Sequence, residues 1–277
     1  MLQSSKFKNK WSVGAGIALS LSLAASAQAE PAPKPSAAGV TVTSASANPT
    51  AVAGQSLSST QLSLLNLIYP PNSTPAGKPY RTHAANWEKW AYTQPADKSP
   101  LTDTTGKFCG QGQPNLLTGV WYLAGTFDAE GDPVPPITRS CTIPQNRVVV
   151  FPVVNAAYGA FPDDPAEQRT ISYVRDQVDD AFGQPTDLSA SLDGVAINVP
   201  AYLVESDPTS LTLPANNVYG IPGPQPLSPY ADKGYYVAFR LDPLTFLLGS
   251  THTLKFKGTV GGQVVDVTYK LKVGLPG

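Results

Sequence analysis

"THTLKFKGTVGGQVVDVTYKLKV", residues 251–273, decides the fold class of this chain. Leu254 and Phe256 alternate with Thr253, Lys255 and Lys257. After Gly261-Gly262, Val265, Val267, Tyr269, Leu271 and Val273 alternate with Asp266, Thr268, Lys270 and Lys272. Successive side chains on a strand point to opposite faces, so a period of two sorts these residues onto one apolar and one wet face. The stretch predicts an antiparallel hairpin buried on one side. Lysines on the wet side also oppose edge-to-edge aggregation.

The same period recurs upstream. "LSASLDGVAINV" predicts two short strands around Asp193-Gly194, a tight-hairpin signal. "GYYVAFRLDPL" predicts a strand ended by Pro243, and "GVWYLAGTF" and "NRVVVFPVVNAAY" read as central strands bounded by Gly, Pro and Asn. "DDPAEQRTISYVRDQVDDAFG" is the exception. Asp164 stands at the N-cap, Pro165 at the first helical position and Glu167 at the capping-box position. Ile171, Val174, Val178 and Phe182 form an apolar stripe, and Gly183 closes the segment. A helix over about 165–182 follows. "THAANWEKWAYTQP" predicts a short helix with Asn86 as cap, Trp87 and Trp90 on one face and Pro95 as stop. The sum is a mainly β chain: an antiparallel β-sandwich, Ig-like or jelly-roll-like, with the helix at about 165–182 and long loops.

The ends and the composition bound the setting. "MLQSSKFKNK" supplies three lysines, and "WSVGAGIALSLSLAASAQA" an apolar run ending in Ala27-Gln28-Ala29. That is an export leader over 1–29, too short and too rich in Ser and Gly to anchor in a bilayer. Residues 30–58, rich in Ala, Ser and Pro and almost uncharged, read as a flexible segment, with a short strand allowed at "GVTVTSA". Residues 59–277 form a single β-rich domain, with "STQLSLLNLIY" joining its core as helix or strand. The 277 residues hold only 14% charged residues, 28 Pro and 23 Gly, and a formal charge of −1. Nothing strongly basic points to nucleic acid or to an anionic membrane. The location expected is secreted or periplasmic.

The chain's two cysteines, Cys109 and Cys141, follow the leader. In an oxidising compartment such a pair reads as a disulfide, worth about 3–4 kcal/mol for a loop of this length. The alternative, a reactive thiol in "KFCGQGQPNLLTGVWYLAGTF" (107–127), needs a neighbouring histidine, and the chain has only His83 and His252.

Catalytic signatures are sparse. There is no G-x-S-x-G elbow, H-E-x-x-H, G-x-G-x-x-G or P-loop. His252 reads as a structural histidine of the last hairpin. No metal site and no cofactor are expected. Carboxylates remain: Asp103, and Asp163, Asp164 and Glu167 in "FPDDPAEQ", offer the pair a glycosidase requires, but also serve as caps. Asp128, Glu130 and Asp132 in "FDAEGDP" form either a solvated turn or an incomplete Ca²⁺ loop. Among aromatics, Trp121 belongs to a core strand. Trp87, Trp90 and Tyr92 are either core filling or a platform for stacking on sugar rings.

"NWEKWAYTQPADKSPLTDTTGKFCGQGQ", "GVWYLAGTF" and "TRSCTIPQNRVVVFPVVN", with weaker echoes in "GYYVAFRLDPL" and the last hairpin, resemble a family of uncharacterised secreted bacterial proteins. Its pattern is W-x-x-W…C-G-x-G-Q…G-V-W-[YF]-L-A-G…C-T-[IV]-P. The resemblance spans most of residues 85–273 and implies that Cys109 and Cys141 pair structurally within one domain. It carries no activity over. The functional expectation is an exported, non-catalytic binding or surface-structural module whose partner is a polysaccharide or another envelope protein. The rivals are a secreted glycan hydrolase using a carboxylate pair, and a subunit of an extracellular matrix or fibre.

Overall fold

The structure, a computed structural model, describes residues 67–115, 119–241 and 251–274. The leader, the 30–58 segment and Pro243 lie outside the described residues.

Ten strands and two α-helices follow one another among the described residues: α1 (Tyr80–Tyr92), β1 (Val120–Tyr122), β2 (Ile137–Pro144), β3 (Val148–Gly159), α2 (Ile171–Phe182), β4 (Thr186–Leu192), β5 (Val195–Ile197), β6 (Leu203–Glu205), β7 (Thr209–Leu213), β8 (Gln225–Arg240), β9 (Thr251–Val260) and β10 (Gln263–Gly274). They form two five-stranded sheets. Sheet 1 runs β1-β3-β8-β6, with β7 also on β8; sheet 2 runs β2-β10-β9-β4-β5. Most neighbours are antiparallel, but β1 pairs with β3 and β2 with β10 in parallel. The sheets meet where the Phe151 ring of β3 lies 4.9 Å from that of Phe256 on β9, and Phe256 stacks on Tyr269 of β10.

The period-two stretches land as expected. Leu254, Phe256, Val267, Tyr269 and Leu271 are buried, whereas Lys255, Lys257, Lys270 and Lys272 are exposed. Both hairpins of sheet 2 turn on two residues of positive φ, Asp193-Gly194 (50° and 80°) and Gly261-Gly262 (53° and 85°). Such turns match the right-handed twist of the flanking strands, and glycine adopts them without strain. β3 is buried at almost every position because both of its faces are covered. "GVWYLAGTF" is strand only over Val120–Tyr122. Leu123 and Ala124 continue as a buried segment outside any strand. From the "STQLSLLNLIY" stretch, Ile68 bridges to Phe239 and is buried.

Two helix starts differ from expectation. α2 begins at Ile171, because Thr170 is extended and its hydroxyl caps the helix by accepting from Tyr173 N at 3.3 Å. Residues 166–169 form a separate 3₁₀ turn. Asp164 instead closes its own turn, accepting from Phe161 N at 2.7 Å, so it does not cap the helix. Ile171 stays 36% exposed, and the buried stripe starts at Val174. Gly183 does end the helix. α1 starts at Tyr80, upstream of Asn86, which is mid-helix; Ala84 and Ala85 propagate it.

The helices take opposite faces of sheet 1. On β8, Tyr230, Asp232 and Tyr236 share the face that α1 covers. Lys233 and Tyr235 share the other, where Asp179 and Phe182 of α2 meet them.

Candidate functional site

The "KFCGQGQ" stretch is stapled. Cys109 and Cys141 form a disulfide with Cα atoms 5.9 Å apart. It binds the loop to β2, where Ser140 N donates to Thr105 O at 2.9 Å. The approach is so close that a Cβ at Gly106 would strike the Ser140 backbone. Downstream, the Gln113 amide mimics a strand: its Oε1 accepts from Tyr122 N at 2.9 Å, and its Nε2 donates to Tyr122 O at 2.7 Å. Arg139, on β2 and 1% exposed, donates to the carbonyls of Leu101, Asp103, Ala124 and Gly125 and to the Tyr269 hydroxyl. This buried guanidinium ties loop, β1 exit and sheet 2 together.

Trp87, Trp90 and Tyr92 are 1%, 5% and 2% exposed, which corrects the platform reading. Trp87 Nε1 donates to Leu123 O and Trp90 Nε1 to Gln111 O, each at 2.9 Å. The two indoles meet edge-on at 6.1 Å, and Tyr92 stacks on Tyr219 at 5.6 Å. Of the polar residues beside the two indoles only Lys89 is exposed, Asn86 being half-buried and Glu88 buried, so a polar context did not mean an exposed ring.

The expected carboxylates are not assembled into one cleft. Asp103 sits in the loop beside β2. Its oxygens accept from Thr105 N, Thr105 Oγ1 and Phe108 N, all at 2.8 Å. Partial burial raises its pKa, but these donors outweigh that and hold it below the usual carboxylate value. Asp163, Asp164 and Glu167 occupy the turn after β3, with Asp163 and Glu167 exposed and Asp164 closing the turn. Asp128 accepts from Glu130 N and Asp132 N, which makes "FDAEGDP" a turn. Among the described residues no group of three His, Cys, Asp or Glu is placed to hold a metal ion. His252 is 7% exposed, with Nδ1 2.6 Å from Asp193 Oδ2.

A different carboxylate pair is brought together. Glu88, between the two tryptophans of α1, and Asp232, on β8, are both 0% exposed. Glu88 Oε1 accepts from Asn155 Nδ2, and Glu88 Oε2 from the Tyr230 hydroxyl, each at 2.6 Å. The Tyr236 hydroxyl donates to Asp232 Oδ2 at 2.6 Å and lies 3.5 Å from Glu88 Oε1. Asp232 N donates to Ser206 Oγ at 2.9 Å, while Asp232 Oδ1 has no hydrogen-bond partner among the described residues. Burial pushes the Asp232 carboxyl up to about 7, against the smaller opposing pull of Tyr236, Ser206 and Arg175. Burial, then the neighbouring Asp232, raises Glu88 well above the ordinary range. Two carboxyls so placed favour the protonated form.

Both carboxyls of this pair are raised, as an acid–base catalyst's are, but both are 0% exposed among the described residues. The cavity lined by Trp87, Tyr92, Asn155 and Val265 admits about 10 Å³, the least that holds one water. The arrangement is a polar clamp joining α1 to sheet 1. Sequence reasoning missed it, although the Tyr230, Asp232, Tyr236 alternation on a strand marks Asp232 as inward-facing.

No family model matches this chain, and neither curated proteins nor solved structures include a significant match to it.

Proposed function

We propose that this is an exported, non-catalytic module that binds a carbohydrate or another component of the cell envelope. One observation carries the reading: the ionisable and aromatic groups best suited to chemistry, Glu88, Asp232, Trp87 and Trp90, are spent on holding the fold together. The Cys109–Cys141 disulfide supports an oxidising compartment. No helix among the described residues is long and apolar enough to cross a membrane.

The test is depletion of the purified protein on a panel of insoluble polysaccharides and cell-wall sacculi, with soluble sugar assayed alongside. Retention without release of fragments is the expected result. Release of fragments, lost in Glu88→Gln or Asp103→Asn, would replace this reading with that of a glycan hydrolase.

A further inference from the structure

The outer face of sheet 2 is a field of lysines set among hydroxyls. Lys255 and Lys257 on β9 and Lys270 and Lys272 on β10 all point outward and are exposed. The register flanks them regularly. Lys255 lies between Ser191 of β4 and Thr268 of β10, and Lys270 between Thr253 of β9 and Ser140 of β2. Lys272 repeats this between Thr251 and Thr142. Lys257 has Asp266 as its neighbour at 3.7 Å, the one carboxylate on β9 and β10. With the exposed Asp187 of β4 counted too, four lysines stand against two carboxylates, so the lysine field stays cationic in a chain whose formal charge is −1.

We infer that this face docks an acidic polysaccharide, one that carries carboxylates along an extended chain. The inference rests on the proposed binding role and names its ligand class and surface. Lysines two apart on a strand stand about 6.6–6.8 Å from one another, and neighbouring strands about 4.8 Å, so the charges form a flat lattice with no concavity for a small anion. A polymer meets several of them at once, and the intervening Ser and Thr hydroxyls offer donors and acceptors to sugar hydroxyls. Among the described residues the lysine field on β9 and β10 presents no aromatic ring or long aliphatic side chain, which a membrane-lying surface would insert into the bilayer. Among the described residues it also has no exposed arginine or aromatic to hold nucleic acid bases, since Arg139 turns inward.

The experiment measures retention of the purified protein on insoluble polygalacturonate and on its fully methyl-esterified form, across a salt series. Retention on the free acid, little on the ester, and weakening with salt are expected. Changing Lys255, Lys257, Lys270 and Lys272 together to Gln should weaken retention about tenfold or more. The same four-charge change at Lys78, Lys89, Lys98 and Lys107, exposed elsewhere, should leave it within about twofold. All eight positions are exposed, and thermal melts verify that both variants fold. Equal retention of the sheet 2 variant and the native protein would overturn the docking face while leaving the binding role standing. Equal retention on acid and ester would overturn the charge reading. Absence of retention on these and on every polysaccharide and sacculus would overturn both. Tighter lysine-dependent binding to anionic lipid vesicles than to polygalacturonate would move the ligand class to membranes and overturn the assignment.

Discussion

Converting Asp232 to Asn should make the protein more stable at alkaline pH, the reverse of what loss of a buried hydrogen-bonded group usually does. The Asp232 carboxyl has its pKa raised from 3.8 to about 7 in the folded chain, chiefly by burial. A carboxyl with a raised folded pKa favours folding fully only below its unfolded pKa. Stability is then lost as pH rises from about 4 through about 7. Three pKa units correspond to about 4 kcal/mol of destabilisation above about pH 8 relative to about pH 4. The amide of Asn is neutral at every pH, and its oxygen still accepts from the Tyr236 hydroxyl that now donates at 2.6 Å. Glu88 is raised as well, partly by the Asp232 charge, so the substitution relieves it in part. His83 works in the opposite direction. Burial lowers its pKa, so the stability of its neutral form is lost as pH falls below the ordinary histidine value. The readout is therefore the difference between Asp232→Asn and the native protein in urea unfolding at about pH 4 and about pH 8, in which His83 cancels. That difference should swing in favour of the variant by up to about 4 kcal/mol across the range. A difference that stays constant with pH, or swings the other way, refutes a neutral-preferring Asp232.

Three further outcomes follow from the packing. Cys109→Ser with Cys141→Ser should cost about 3–4 kcal/mol, read as a lower urea midpoint, with no effect if the loop is held by its hydrogen bonds alone. Arg139→Lys should cost about 3 kcal/mol or more, because an ammonium cannot reach the four carbonyls the guanidinium serves; an unchanged melting temperature would show those contacts to be incidental. Trp87→Ala should cost about 3–5 kcal/mol and abolish cooperative melting rather than any one binding activity; a well-folded variant that loses only polysaccharide retention would return Trp87 to a recognition role.

The strands were legible because each alternation is local. Leu254 to Val273 sort themselves by face whatever lies opposite, and Asp193-Gly194 and Gly261-Gly262 can hardly be anything but tight turns. What was illegible depended on partners distant in sequence. Asp164 has every attribute of a helix cap, but its turn closes on Phe161 and leaves capping to Thr170. Trp87 and Trp90 look exposed beside Asn86, Glu88 and Lys89, yet Glu88 turns inward because Asn155, Tyr230 and Tyr236 are there to receive it. A buried charge shows in a sequence only when its partners are known, and these lie 67 to 148 residues away. The parallel β2–β10 pairing was hidden for the same reason.

The latched loop on β2 bears on how an edge of sheet 2 is closed. With Cys109 and Cys141 bonded, Thr105 and Gly106 lie against β2 at Ser140, and an incoming strand finds the Ser140 N–H already engaged by Thr105 O. Without that bond the loop is held on β2 by the Ser140–Thr105 hydrogen bond and by Arg139, which donates to Asp103 O and Leu101 O. The disulfide thus adds a covalent latch to the cover of a sheet edge. Reduction of Cys109 and Cys141 in the purified protein should therefore raise its tendency to self-associate, read by light scattering.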